Sequence, residues 1–207
     1  YGVFEIGMDK KGEIDYLSKI LKPNVGIITN ISYAHAKNFK NIKQIAMAKS
    51  EIINNIDTNG TMVLNADDNF FNLHKKIAIK KKLKVLTFSV NKKSNVRLKY
   101  IRKEKNKFKI SIIINKKNKF FYVSSNFKNF INNLLATITV VSIFIDPIKL
   151  NKNTFYNMNF PKGRGDISKI RFKNKNINLV DESYNSNPLS LKSAIENFNL
   201  INTKNKK

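Results

Sequence analysis

Short apolar runs alternate with segments of helical periodicity through residues 1–90, and this alternation constrains the fold more than any other feature. The runs are "YGVFEIG" (1–7), "VGIITNI" (25–31), "TMVLNAD" (61–67) and "KVLTFSV" (84–90). Each is short enough to be a strand, and all but the Glu5 position of the first are apolar through most of their length, the pattern of strands buried on both faces. Between them lie "GEIDYLSKIL" (12–21), stopped by Pro23, then "NIKQIAMAKSEIINNI" (41–56) and "DNFFNLHKKIAIKK" (68–81). In the second of these, Ile42, Ile45, Ala46, Ile52, Ile53 and Ile56 recur at helical spacing. Residues 32–39 read as a loop and "DTNG" as a turn. Strands alternating with helices predict an α/β fold with a mostly parallel sheet flanked by helices.

The pattern changes after residue 90. "NVRLKYIRKE", "KFKISIII" and "KFFYVSS" are split by Lys/Asn turns and predict an antiparallel segment. "NFINNLLATITVVSIFI" (129–145) is long enough to favour a buried helix despite its β-branched residues, and a short second helix is expected over 147–157. "FPKGRGD" (160–166) is a Pro/Gly-rich break and marks a domain boundary, with 1–160 before it and 161–207 after. Two short strands, "ISKIRF" and "INLVD", and a helix from Leu189 to Asn199 follow. The chain starts at Tyr1, inside an apolar run, and ends on "NTKNKK", so a fragment of a longer protein is expected.

Composition narrows the function classes. With no cysteine, disulfides, Cys-bound metal and thiol nucleophiles are excluded from these residues. No apolar run approaches the ~18–20 residues of a membrane span, and no signal peptide is visible. A net charge of +25 admits a nucleic-acid partner. Against this, the cations are nearly all Lys; Arg occurs only at 97, 102, 164 and 171, and Lys, Asn and Ile fill every loop. That scatter reads as codon bias spread over the surface, so no specific nucleic-acid partner is expected. A basic, non-catalytic nucleic-acid-binding module stands as the alternative of another class.

Several residues could carry chemistry. Glu5 and His35 are placed at the carboxyl ends of the first and second expected strands, where open α/β sheets bind ligands. A carboxylate there suits Mg²⁺, and an imidazole suits a metal or a proton; the plain alternative is a solvated Glu at a strand end and a surface loop histidine. Lys49 lies seven residues after Ile42, four after Ile45 and three before Ile52, on the apolar face of its helix. Either its stem snorkels to the edge, or desolvation lowers its pKa and the amine is used, one use being carbamylation by CO₂. Arg164, between two glycines, could meet phosphate or simply sit in a linker. Asn129 and Asn132 are three apart and could pair with adenine. His74 falls in a Lys-rich helix with no evident partner. "DESYNSNP" (181–188) is a polar strand-to-helix connection with Pro188 suited to a first helical turn.

Together, "YGVFEIGMDKKGEI" (1–14), "GIITNISYAHAKNF" (26–39), "IAMAKSEI" (45–52), "VLNADD" (63–68), "NFINNLLA" (129–136), "PKGRGDI" (161–167) and "LVDESYNSNPLSLKSAI" (179–195) resemble the Mur ligases. The resemblance implies the central ATPase domain of that family, followed by the start of a Rossmann-like C-terminal domain. The family's phosphate-binding loop and UDP-binding domain are expected upstream of Tyr1. The "DESYNSNP" element resembles the members that join D-alanyl-D-alanine to UDP-N-acetylmuramoyl-tripeptide in peptidoglycan precursor synthesis. Sister ligases and folylpolyglutamate synthases are the nearest alternatives. By resemblance the chain would use ATP and Mg²⁺, form an acyl phosphate and work in the cytoplasm, as a monomer when full length. Glu5 and His35 would be Mg²⁺ ligands, with His35 also at the reaction centre. Lys49 would be a carbamylated lysine beside a second Mg²⁺. Asn129 and Asn132 would contact adenine, Arg164 the ATP phosphates, and Asp181 the nucleotide. Tyr184, Asn185 and Asn187 would line the cleft between domains.

Overall fold

The computed structural model describes residues 1–33, 38–105, 107–124, 130–158, 163, 166–184, 191, 192, 194, 195 and 198, with only the backbone of Asp166. Its main sheet has six strands in sequence order: β1 (Val25–Ile28), β2 (Thr61–Asn65), β3 (Lys84–Ser89), β4 (Val96–Glu104), β5 (Lys107–Ile114) and β6 (Lys117–Val123). β1, β2 and β3 run parallel, with Ile27 opposite Val63 and Val63 opposite Leu86. β4 joins β3 in parallel only at Phe88–Val96 and Ser89–Arg97, then turns the sheet into the antiparallel β4–β5–β6 meander. A separate antiparallel hairpin pairs β7 (Asp166–Phe172) with β8 (Lys175–Asp181).

The helices are α1 (Glu13–Leu21), α2 (Ile42–Ser50), α3 (Phe71–Lys80) and α4 (Ile131–Val141). Every residue of β2 is buried, because the strand is covered on both faces. Val63 packs with Phe88, Ile110, Phe121, Leu135 and Ile138 beneath α4. Met62 and Leu64 point the other way, into Ile28, Ile53, Ile56, Ala78 and Leu83 beneath α3.

Local chemistry sets the helix ends. Asn41 caps α2 by accepting from the Gln44 N–H at 3.0 Å, while the Gln44 side chain accepts from the Lys40 N–H at 2.9 Å. α1 is capped from a distance. The Glu51 carboxylate, in a 3-10 turn after α2 (Glu51–Asn55), accepts from Gly12 N–H at 3.0 Å and Asp15 N–H at 3.2 Å. An anion at the amino end of α1 complements its dipole. Gly60, before β2, admits no side chain: a Cβ there would stand 2.7 Å from the Asn24 carbonyl oxygen and 2.8 Å from that of Asp57.

Four expectations are corrected. Residues 1–7 form no strand; only Ile6 and then Met8 pack inward, against Ile14, Ile45 and Ala48, and most of the rest is exposed. An apolar run becomes a strand only with a ladder beside it, and among the described residues the ladder on β1 is β2 alone. The helix expected over 68–81 starts at Phe71, because Asp68 first holds the Phe70 N–H in a tight turn at 2.7 Å. α4 ends at Val141 rather than 145. Asp146 precedes Pro147 and is therefore extended, and its carboxylate caps the Pro147–Lys149 3-10 turn through the Ile148 N–H at 3.0 Å. The helix expected over 147–157 is, after that turn, a strap along β6. Its Lys152 carbonyl accepts from the Tyr122 N–H at 2.7 Å, and the Lys119 ammonium reaches the Ile148 and Leu150 carbonyls at 2.6 Å. Carbonyls spent on the Tyr122 N–H and the Lys119 ammonium are lost to a helix. Of the helix expected from Leu189, residues 191, 192, 194, 195 and 198 are described and are helical.

Candidate active site

The polar groups converge where the carboxyl ends of β1, β2 and β3 meet, in the sequence "NADD" (65–68) and what it touches. Asn65 donates to the Thr29 carbonyl at 3.1 Å and accepts from the Asp67 N–H at 2.9 Å. Asp67 accepts three backbone N–H groups beyond β3, from Val90 at 2.6 Å, Asn91 at 3.0 Å and Lys92 at 3.0 Å. Asp68 accepts from the Ile31 N–H at 2.8 Å as well as from Phe70. Three side chains thus tie three strand ends into one crest, the place where α/β sheets bind ligands.

Lys49 reaches this crest from α2. It is half-buried, and its ammonium lies 3.5 Å from the Asn30 carbonyl oxygen. Burial pushes its pKa below the ordinary lysine value, and the negative charges of Asp68 and then Glu5 oppose that push. An amine held in this way is nearer to its neutral, nucleophilic form than a surface lysine is.

His74, one helical face away on α3, is buried, and its Nε2 lies 3.0 Å from the Ala46 carbonyl. A carbonyl can only accept, so Nε2 carries the proton of a neutral ring. The partner that the sequence did not reveal is therefore a backbone group on α2. Burial lowers the His74 pKa; the Ala46 carbonyl and Asp68 raise it, and Lys49 lowers it. In the unfolded chain His74 takes up a proton near its ordinary 6.5, whereas the folded chain resists. Stability should hold above about pH 6.5 and fall below it, by up to about 1.4 kcal/mol per pH unit. Urea unfolding of the chain at pH 7.5 and 5.5 measures this, and His74→Gln should flatten that part of the slope.

The Mur ligase middle domain family matches residues 1–141. The chain belongs to the Mur ligase family. Among Mur ligases, the UDP-N-acetylmuramoyl-tripeptide--D-alanyl-D-alanine ligase of Rickettsia prowazekii is 32% identical, over 100% of this chain and 45% of its own length. That of Borreliella burgdorferi is also 32% identical, over 99% of this chain and 43% of its own. MurF from Acinetobacter baumannii superposes with a TM-score of 0.77 at 25% identity, covering 94% of this chain and 41% of that one. MurF from Thermotoga maritima, solved with ADP, shares the fold with a TM-score of 0.78 at 21% identity, covering 93% and 43%. The chain therefore spans under half the length of these relatives.

Of the Mur-type residues expected from sequence, Glu5 and Lys49 come into electrostatic reach of each other, although Glu5 is exposed and lies on a stretch that forms no strand. Asn132 sits exposed in the first turn of α4. Asp181 ends β8, half-buried, and accepts from the Ser183 N–H at 3.0 Å; hydrogen bonds from Ser183 hold its carboxyl below the usual range. Tyr184 is exposed, and its N–H donates to the Gly163 carbonyl at 3.0 Å. Gly163 has φ +78°, and a Cβ there would stand 2.8 Å from the Tyr184 nitrogen, so the first glycine of "GRGD" is what lets Ser183 and Tyr184 lie against it. His35, Asn129, Arg164, Asn185 and Asn187 lie outside the described residues. Sequence reasoning assigned no role to Asn65, Asp67, Asp68 or Glu51. For the first three, the available signal was three polar residues within four directly after the run "TMVL".

Proposed function

We propose that this chain carries the nucleotide-handling centre of an ATP-dependent ligase. That enzyme joins D-alanyl-D-alanine to UDP-N-acetylmuramoyl-tripeptide, through an acyl phosphate, in peptidoglycan precursor synthesis. Relatives bearing that activity in their names, each 32% identical over nearly the whole chain, support the substrate pair. The observation that carries the chemistry is Lys49, an amine with its pKa lowered by burial at the crest of the parallel sheet, within reach of two carboxylates.

The neutral Lys49 amine attacks CO₂, forms an N–C bond and releases a proton to solvent. The cation thereby becomes a carboxylate-bearing carbamate. Among the described residues no three His, Asp or Glu side chains gather as a metal site. The proposed set, Glu5, His35 and the carbamate of Lys49, is nonetheless oxygen-rich and fits Mg²⁺, a hard cation. Bound there, Mg²⁺ supplies neutralisation of the ATP phosphates. Asn129 and Asn132 then hold adenine and Arg164 meets the phosphates. Asp181 approaches the nucleotide from a second unit starting at residue 161, after the 1–160 unit, and Tyr184, Asn185 and Asn187 line the cleft between them. Closing such a cleft keeps water from an acyl phosphate. The full-length enzyme works in the cytoplasm as a monomer and has no specific nucleic-acid partner.

Phosphate release by the full-length protein tests the assignment. Release is expected from ATP only when both the tripeptide nucleotide and D-alanyl-D-alanine are present. Turnover with glutamate or a diamino acid as the amine donor would point instead to a sister Mur ligase or a folylpolyglutamate synthase. Tight nucleic-acid binding with a steep salt slope and no turnover would mark a non-catalytic module.

A further inference from the structure

We propose that Asp68 is a positioning residue that orients Lys49 through a single peptide group. The Asn30 carbonyl and the Ile31 N–H belong to one rigid, trans amide plane and point in opposite directions within it. On one side, the Ile31 N–H donates to Asp68 Oδ2 at 2.8 Å. On the other, the Asn30 oxygen faces the Lys49 ammonium at 3.5 Å. The peptide between Asn30 and Ile31 is thus held between a carboxylate and an ammonium on different elements. A carboxylate accepting from the N–H polarises the amide and strengthens its carbonyl as an acceptor. It also stops the plane from rotating that carbonyl away from Lys49.

Asp68 suits this task because it has two acceptors to use. Oδ1 accepts from the Phe70 N–H at 2.7 Å, which pins the carboxylate to the start of α3, and this leaves Oδ2 for Ile31. Asn65, which donates to the Thr29 carbonyl at 3.1 Å, steadies the preceding peptide. A serine at 68 could keep the local turn to Phe70 but has no second oxygen for Ile31. An asparagine has one acceptor oxygen and would turn an amide N–H toward one of the two donors.

This inference rests on the role proposed above for Lys49, and the two can fail separately. In the full-length enzyme, Asp68→Ser should lower kcat by about 10- to 100-fold, the loss of one charge-assisted hydrogen bond, while KM for ATP stays within about threefold. The melting temperature should stay within about 3 °C, since the turn to Phe70 survives. Should Asp68→Ser not fold, Asp68→Thr, which likewise keeps one hydroxyl oxygen for the Phe70 N–H and none for Ile31, carries the same test. An unchanged kcat in the folded variant, beside an inactive Lys49→Ala, would overturn the role of Asp68 alone. So would a fall in kcat matched by an equal rise in KM or by a collapse in melting temperature, which would make Asp68 merely structural. Full activity in Lys49→Ala would instead remove the Lys49 assignment. ¹³C-bicarbonate NMR gives a readout apart from turnover: a carbamate signal in the wild type, absent in Lys49→Ala and retained in Asp68→Ser, because the lost carboxylate favours the ammonium and its removal does not oppose carbamylation, while kcat falls through lost positioning.

Discussion

Lys49→Ala in the full-length enzyme is expected to abolish turnover, by about 10³-fold or more, and short carboxylic acids are expected to restore part of it. The size of the effect follows from what the side chain is asked to become. Burial of this half-buried amine lowers its pKa and so shifts it toward the neutral form, the form that captures CO₂. Alanine leaves a gap the length of that side chain beside the Asn30 carbonyl. A small carboxylate entering the gap would supply the missing anion without its tether, so rescue should saturate with acid concentration and remain incomplete. Measuring phosphate release against added formate, acetate and propionate reads this out. Full activity without any acid would remove the carbamate from the mechanism.

Phe121→Ala should be among the most damaging changes to stability. The side chain is fully buried, and its ring meets Phe155 edge-on at 5.0 Å between centroids, with the Lys119 ammonium 5.5 Å from its centroid. It joins the sheet to α4 and, through Phe155, to the strap after Pro147. Truncation to alanine removes the apolar contact and leaves a cavity between layers, at about 3–5 kcal/mol. In a chain of this size that corresponds to a fall in melting temperature of roughly 10 °C. Phe121→Leu, which keeps most of the volume, should lose about 1.5 kcal/mol or less from repacking, together with the edge-on pair. Urea unfolding of the two variants separates the cavity from the aromatic contact.

The parallel half of the sheet was legible because β1, β2 and β3 are apolar runs bounded by Pro23, Gly60 and a lysine-rich turn, and the antiparallel half because Lys/Asn turns punctuate it. The stretch 1–7 was misread because periodicity reports burial and not pairing, and pairing is a property of the neighbour. The strap after Pro147 was misread for a related reason: its backbone serves Tyr122 and Lys119, contacts from residues about 30 positions earlier that no local pattern carries. At the site, Lys49 stood out because a cation on an apolar face is a local contradiction. Asp68 did not, because an aspartate after a strand is ordinary in sequence. Its significance comes from Ile31, a partner 37 residues away.

The strap has a consequence for a chain with so few acidic residues and so many asparagines and isoleucines. A meander rich in β-branched residues, such as "KISIII" in β5, is a template for aggregation wherever its outer strand is open. Here the outer strand is β6, and its Tyr122 N–H is already bonded to the chain's own Lys152 carbonyl. The Lys119 ammonium is tied to the same strap. A second molecule approaching that edge meets a position already taken and a positive charge like its own. The antiparallel end of the sheet thereby offers a second molecule a less open edge at Tyr122, and the same strap places Phe155 on Phe121.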